Sequence, residues 1–186
     1  MLKAMFAAIS FLLSAAGAAA QGGPVWTVDA AQSTIDWTAK WNTTPIHGGF
    51  ERFSADIVFD PNALESAHAL VRVDITSVYM TGQDARATLI DENWFAASDW
   101  PEATFETLSF RHIGSGRYEA DARLVIRGIE RRVALPFKLT IEGKVARMEG
   151  SLVLNRHDFG LGKNGDIAKA VAPEVAVAIR VTARRE

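Results

Sequence analysis

Along most of this chain apolar and polar residues alternate with period two. The clearest run is residues 122–141. Ala122, Leu124 and Ile126 alternate with Arg123, Val125 and Arg127. After Gly128 the beat resumes at Ile129, Val133, Leu135, Phe137, Leu139 and Ile141. Glu130, Arg132, Ala134, Lys138 and Thr140 stand between them. This period predicts two half-buried antiparallel strands. Gly128 supplies the backbone freedom for a tight reversal between them.

The same pattern predicts strands on either side. A short one covers residues 25–29. The next carries Ile35, Trp37, Ala39 and Trp41 on one face. Residues 42–49, with Pro45 and the Gly48–Gly49 pair, predict a break. Phe53, Ala55, Ile57 and Phe59 mark another strand, and Ala69, Val71, Val73 and Ile75 one more, with a helical turn or loop at residues 64–67 between them. Alternation stops over residues 82–100, which predict one or two short helices ending before Pro101. Strands resume at residues 103–113 and turn at Gly114, Ser115 and Gly116. A strand with Leu152 and Leu154 follows Glu142 and Gly143, and residues 157–171 predict a glycine-rich loop. The last strand has Val175, Val177, Ile179 and Val181 on its apolar face. Eight or nine sequential antiparallel strands with one helical insert make an all-β protein, either sandwich or closed barrel. Closure removes the exposed edges. An eight-stranded barrel holds packed side chains or one slender ligand.

Strand alternation sends one set of residues to a common interior. They are Trp37, Phe53, Ile57, Val73, Ile75, Phe105, Leu124, Ile126, Val133, Leu135, Phe137, Leu152 and Leu154, with Trp41 and Phe110 adding bulk on the same faces. These fifteen are the candidate ligand-binding residues. The same positions would equally serve a filled core, and the pattern leaves both readings open.

The amino terminus changes the picture. Lys3 is followed by an apolar run over residues 4–16, then Ala18, Ala19 and Ala20. This is the layout of a secretory signal peptide, with cleavage expected between Ala20 and Gln21. The run is shorter than the roughly 20 residues that span a bilayer. Residues 21–186 then form one domain. A net charge of −2 gives no reason to expect nucleic acid as a partner. The absence of cysteine excludes disulfides, thiolate metal sites and cysteine nucleophiles. His47, His68, His112 and His157 show no metal-ligand spacing, and neither a nucleophile elbow nor a phosphate-binding glycine loop occurs. No cofactor, metal or catalytic residue is expected.

Four segments carry a resemblance: residues 50–61 (FERFSADIVFDP), 94–105 (WFAASDWPEATF), 124–137 (LVIRGIERRVALPF) and 154–162 (LNRHDFGLG). In order and spacing they resemble the YceI-like family of bacterial exported proteins. The resemblance implies an antiparallel, eight-stranded, lipocalin-like barrel with a short helical insert. It implies an apolar tunnel holding an isoprenoid lipid, either an isoprenoid quinone or a polyprenyl lipid, without catalysis. With the signal peptide, the expectation is a periplasmic protein, monomer or homodimer, open to transient membrane contact. Arg127 and Gly128 would turn the central hairpin. Arg156 and Asp158 would pair across a bend that sets Phe159. Trp94 and Phe95 in the insert would cover the barrel mouth. Many members carry a histidine where this chain has Trp41, and an Arg-Asp pair where it has Arg86 and Ala87, so the head group stays open. Two other functions compete with carriage. One is an envelope interaction module with a filled core; the other is an enzyme acting on such a lipid, with His47 or His157 as base.

Overall fold

The computed structural model describes residues 23–82 and 85–185. The proposed signal peptide lies outside them. The strands are β1 (Val25–Val28), β2 (Thr34–Trp41), β3 (Thr44–Phe50), β4 (Phe53–Val58), β5 (His68–Asp74), β6 (Val78–Met80), β7 (Glu102–Gly114), β8 (Arg117–Ile126), β9 (Ile129–Glu142), β10 (Val145–Asn155) and β11 (Glu174–Arg184). Two one-turn helices accompany them, α1 (Arg86–Ile90) and α2 (Asp166–Ala170). All pair antiparallel in one sheet of order β1-β4-β5-β7-β8-β9-β10-β11-β2-β3-β6, and β1 pairs back onto β11. The sheet is therefore closed.

Eleven segments make eight barrel strands, because three long strands are each broken once. β1 and β2 run in turn along β11, at Val28↔Ala183 and then Thr34↔Arg180. β3 leads directly into β4, and β5 into β6. Where a strand leaves the ladder, its neighbour's backbone loses a partner, and a buried orphan is costly. Serines fill these gaps. The Ser33 hydroxyl accepts from Thr182 N (3.0 Å) and donates to Asp29 O (2.7 Å). The Ser77 hydroxyl accepts from Arg52 N (3.1 Å) and donates to Asp74 O (2.6 Å). The Asp74 carboxylate caps the turn at Ile75–Ser77 by accepting from Thr76 N (2.8 Å) and pairs with Arg52. These donors hold its carboxyl below the ordinary aspartate range, with the Thr76 hydroxyl the largest cause.

The central hairpin forms as its pattern predicts. Arg127 (φ 53°) and Gly128 (φ 68°) make the two-residue turn, and Ile126 faces Ile129 across it. Both φ values are positive, as the hairpin twist requires.

Three expectations need correction. Residues 42–49 do not break the sheet; β3 occupies most of them. Gly48 and Gly49 are there for closeness rather than turning. A Cβ on Gly48 would lie 2.1 Å from Tyr79 O and 2.2 Å from the Trp37 ring, so only glycine lets β6 and the indole approach. Ile75 opens the 3-10 turn instead of continuing β5. The stretch at residues 157–171 is largely structured: a 3-10 turn spans Arg156–Phe159, and α2 follows.

Rings fill the end of the barrel marked by the turns at residues 114–116 and 143–144. Phe59 meets Phe110 (5.1 Å) and Tyr118 (5.5 Å) edge-on, and Tyr118 stacks on Phe137 (5.6 Å). Trp26 joins them, its indole N–H donating to Phe59 O at 2.9 Å. The opposite end, at the tips of the β2–β3 and β8–β9 hairpins, is the mouth.

Candidate functional site

The interior contains two chambers stacked end to end. The lower, about 230 Å³, lies within the barrel against the ring cluster. Its wall is apolar throughout, with Thr107 the sole hydroxyl. The upper, about 610 Å³, lies between the barrel rim, the insert containing α1, and the loop containing α2. That volume is within the range of roughly 300–1,000 Å³ usual for small-molecule sites. The two share wall residues at Phe50, Phe95, Ile126, Leu154 and Val177.

Most of the candidates line the interior. Phe53, Ile57, Val73, Ile75, Phe105, Phe110, Leu124, Leu135, Phe137 and Leu152 line the lower chamber. Trp37 and Trp41 line the upper one, and Ile126 and Leu154 line both. Val133 lines neither. It borders an outer groove between β9 and β10. Several wall residues were not among the candidates. Val177 and Ile179 carried the signal of alternation in the last strand. Phe50 was hidden in the stretch read as a break. Leu89, Phe95, Ile167 and Val171 sit on short helices and turns, where period two has no meaning.

The insert covers the mouth, as expected of Trp94 and Phe95. Both line the upper chamber, and Phe95 packs edge-on to Phe50 (5.9 Å). Polar ties hold the cover. Arg127 at the hairpin tip donates to Glu92 O (2.7 Å) and to Gly160 O. Gly162 N donates to Asn93 O (2.6 Å), and Asn93 Nδ2 to Asn164 O (2.7 Å).

Arg156 does not pair with Asp158. Asp158 is exposed, whereas the Arg156 guanidinium is buried. It donates to the carbonyls of Leu161, Gly162, Ala168, Val171 and Ala172 at 2.6–3.1 Å, and its plane lies 5.3 Å from the Trp94 ring centre. Five donors in a rigid fork suit this task, which no lysine could perform. Burial pushes its pKa below the ordinary arginine value. The residue is the knot that folds residues 156–172 over the mouth, and all five donors are consumed there. The indole N–H of Trp37 is enclosed by protein and has no acceptor.

Chemistry beyond apolar contact finds little support. His47 lies on the outer face, its ring nitrogen 3.0 Å from the Thr38 hydroxyl, and neither it nor His157 lines a chamber. Among the described residues Arg156 is the charged side chain on the upper wall. Among the described residues no group of three His, Asp or Glu side chains could hold a metal ion, and no helix is long and apolar enough to cross a membrane.

Comparison with known proteins follows this geometry. A family model described as the YceI-like domain matches residues 26–183. Among solved structures, BcnA of Burkholderia cenocepacia is 27% identical, covers 83% of this chain and 98% of its own, and superposes with a TM-score of 0.78. The YceI protein of Campylobacter jejuni is 22% identical over 75% of this chain and 84% of its own, with a TM-score of 0.67. A polyisoprenoid-binding domain from Saccharophagus degradans, implicated in plant cell wall breakdown, shares the fold at 14% identity. It covers 88% of this chain and 99% of its own, with a TM-score of 0.67. A search of curated proteins finds no match.

Proposed function

This chain belongs to the YceI-like family, and from that membership and its hollow interior we propose that it is a non-catalytic carrier of a long isoprenoid, either a quinone or a polyprenyl lipid. The observation that carries the proposal is the pair of stacked apolar chambers, closed below by rings and covered above by the insert. Such a shape suits a linear chain whose tail lies in the lower chamber and whose head lies in the upper. The polyisoprenoid-binding domain of Saccharophagus degradans, which shares this barrel, supports the same reading. The signal-like amino terminus supports a periplasmic carrier, processed to a domain of residues 21–186.

Energetics favour reversible carriage. Moving a methylene out of water yields about 0.8 kcal/mol. An isoprenoid tail starts in a membrane, so its transfer into the chambers gains little net. The protein therefore exchanges its cargo with bilayers instead of trapping it.

Native mass spectrometry of protein purified from its own envelope tests both parts at once. The expected result is a chain beginning at Gln21 with one isoprenoid bound. A ligand-free chain with Met1 retained in a membrane fraction would refute the reading.

A further inference from the structure

The barrel wall is unfastened along the seam between β9 and β10. β9 and β10 pair from Glu142↔Val145 to Phe137↔Gly150, and there the pairing ends. Residues 129–136 still pair with β8, and residues 151–155 with β11, but not with each other. A groove of about 620 Å³ opens between them. Pro136 lies at the point of parting and has no N–H to offer the ladder.

Side chains leave the seam equally unfastened. Elsewhere ion pairs cross neighbouring strands on the outer face: Arg72–Asp56, Arg123–Glu106, Arg111–Glu119, Arg132–Asp121 and, below the parting, Arg147–Glu142. Among the described residues none crosses β9 to β10 above Gly150. The facing lips there are Ala134, Pro136, Ser151 and Val153, the last 64% exposed. Behind them the wall is one side chain thick. Leu152 and Leu154 border the outer groove and the lower chamber together, and Phe159 borders the groove and the upper chamber. The mouth, in contrast, is tied by the hydrogen bonds of Arg127, Asn93 and Arg156.

We propose that this seam is a lateral gate, through which a linear apolar chain enters and leaves the chambers sideways. This rests on the carrier reading above. Passage requires only that Leu152, Leu154 and Phe159 change rotamer and the lips part, since no backbone hydrogen bond spans the opening. Ala134, Pro136 and Val153 give the lips apolar stretches, while Arg131, Arg132 and Asp158 stand elsewhere on the groove's wall.

The absence of native cysteine makes the test direct. Ala134→Cys and Val153→Cys in one chain are bridged with a short bis-maleimide. Uptake of a dansyl-tagged geranylgeranyl chain from phosphatidylcholine vesicles is timed before and after bridging. In a second chain Asn93→Cys and Asn164→Cys pin the cover over the mouth. Bridging the seam is expected to slow uptake roughly tenfold or more while leaving the final amount bound unchanged; pinning the cover is expected to leave the rate within about twofold. The gate is overturned if the bridged seam loads as fast as before, or if both bridges slow uptake alike. If the unaltered protein takes up no probe, the carrier reading falls, and the gate with it.

Discussion

Val73→Phe separates a hollow interior from a filled one. Val73 sits near the end of β5, between Phe53 on β4 and Ala103 on β7, and lines the lower chamber. Ile75, Phe95 and Ile126 surround it. Phenylalanine adds four carbons to the side chain. In a filled core that growth costs roughly 1–3 kcal/mol in strain. For a chain of this size, 1 kcal/mol moves the melting temperature by about 2–4 °C, so a filled core would lose about 2–12 °C. In a hollow barrel the ring turns into the chamber, and the ligand-free melting temperature changes by less than about 2 °C. Binding then suffers instead. For a quinone offered from water, a ring that takes the place of about four ligand carbons removes about 3 kcal/mol, at 0.8 kcal/mol each. That weakens binding roughly a hundredfold. Delipidated parent and variant are compared by thermal melting. Affinity for an isoprenoid quinone is read from quenching of tryptophan fluorescence. A loss of many degrees with unchanged quinone affinity would refute the hollow interior.

Other consequences are equally direct. Leu135 is buried against the ring cluster, so Leu135→Asp is expected to unfold the domain, because an unpaired buried carboxylate costs several kcal/mol of a total near 5–15; Lys138→Asp, on the exposed face of the same strand, is expected to be mild, and equal melts would invert the assigned faces. Gly128→Ala is expected to lose about 1–3 kcal/mol, since its Cβ would stand 2.5 Å from the Trp100 ring at φ +68°; a denaturant midpoint equal to the parent's would show that the indole moves aside freely. Asp74→Asn keeps a capping oxygen but removes the charge facing Arg52. Because the folded carboxyl titrates below its unfolded value, its stabilisation is present above about pH 4 and fades as pH falls through the lower folded value. The variant is expected to be less stable at pH 7, by at most about 1 kcal/mol given solvent screening, with the difference shrinking as pH falls below about 4; a difference independent of pH would exclude the ion pair as its cause.

Alternation alone determined that the chain is an antiparallel all-β protein, where most of its turns fall, and which face of most strands looks inward. Period two is a local property of the backbone, so Phe53, Val73, Leu135 and Leu154 announced their direction without knowledge of any neighbour. The four quoted segments extended that to the family and its eight-stranded barrel. What the pattern could not carry depends on contacts between distant residues. Gly48 reads as a turn residue until Trp37 and Tyr79 are brought against it. Arg156 reads as half of an ion pair until residues 161–172 fold their carbonyls around it. Serines 33 and 77 look like loop residues until the ladder breaks beside them. Whether the interior is filled or hollow depends on the spacing between opposite walls, and no single strand encodes that distance. The seam is the clearest case. β9 and β10 both carry the strand pattern, interrupted at Arg131 and Val153, yet they part above Gly150, because pairing is decided by register and closure of the whole barrel and not by either strand alone.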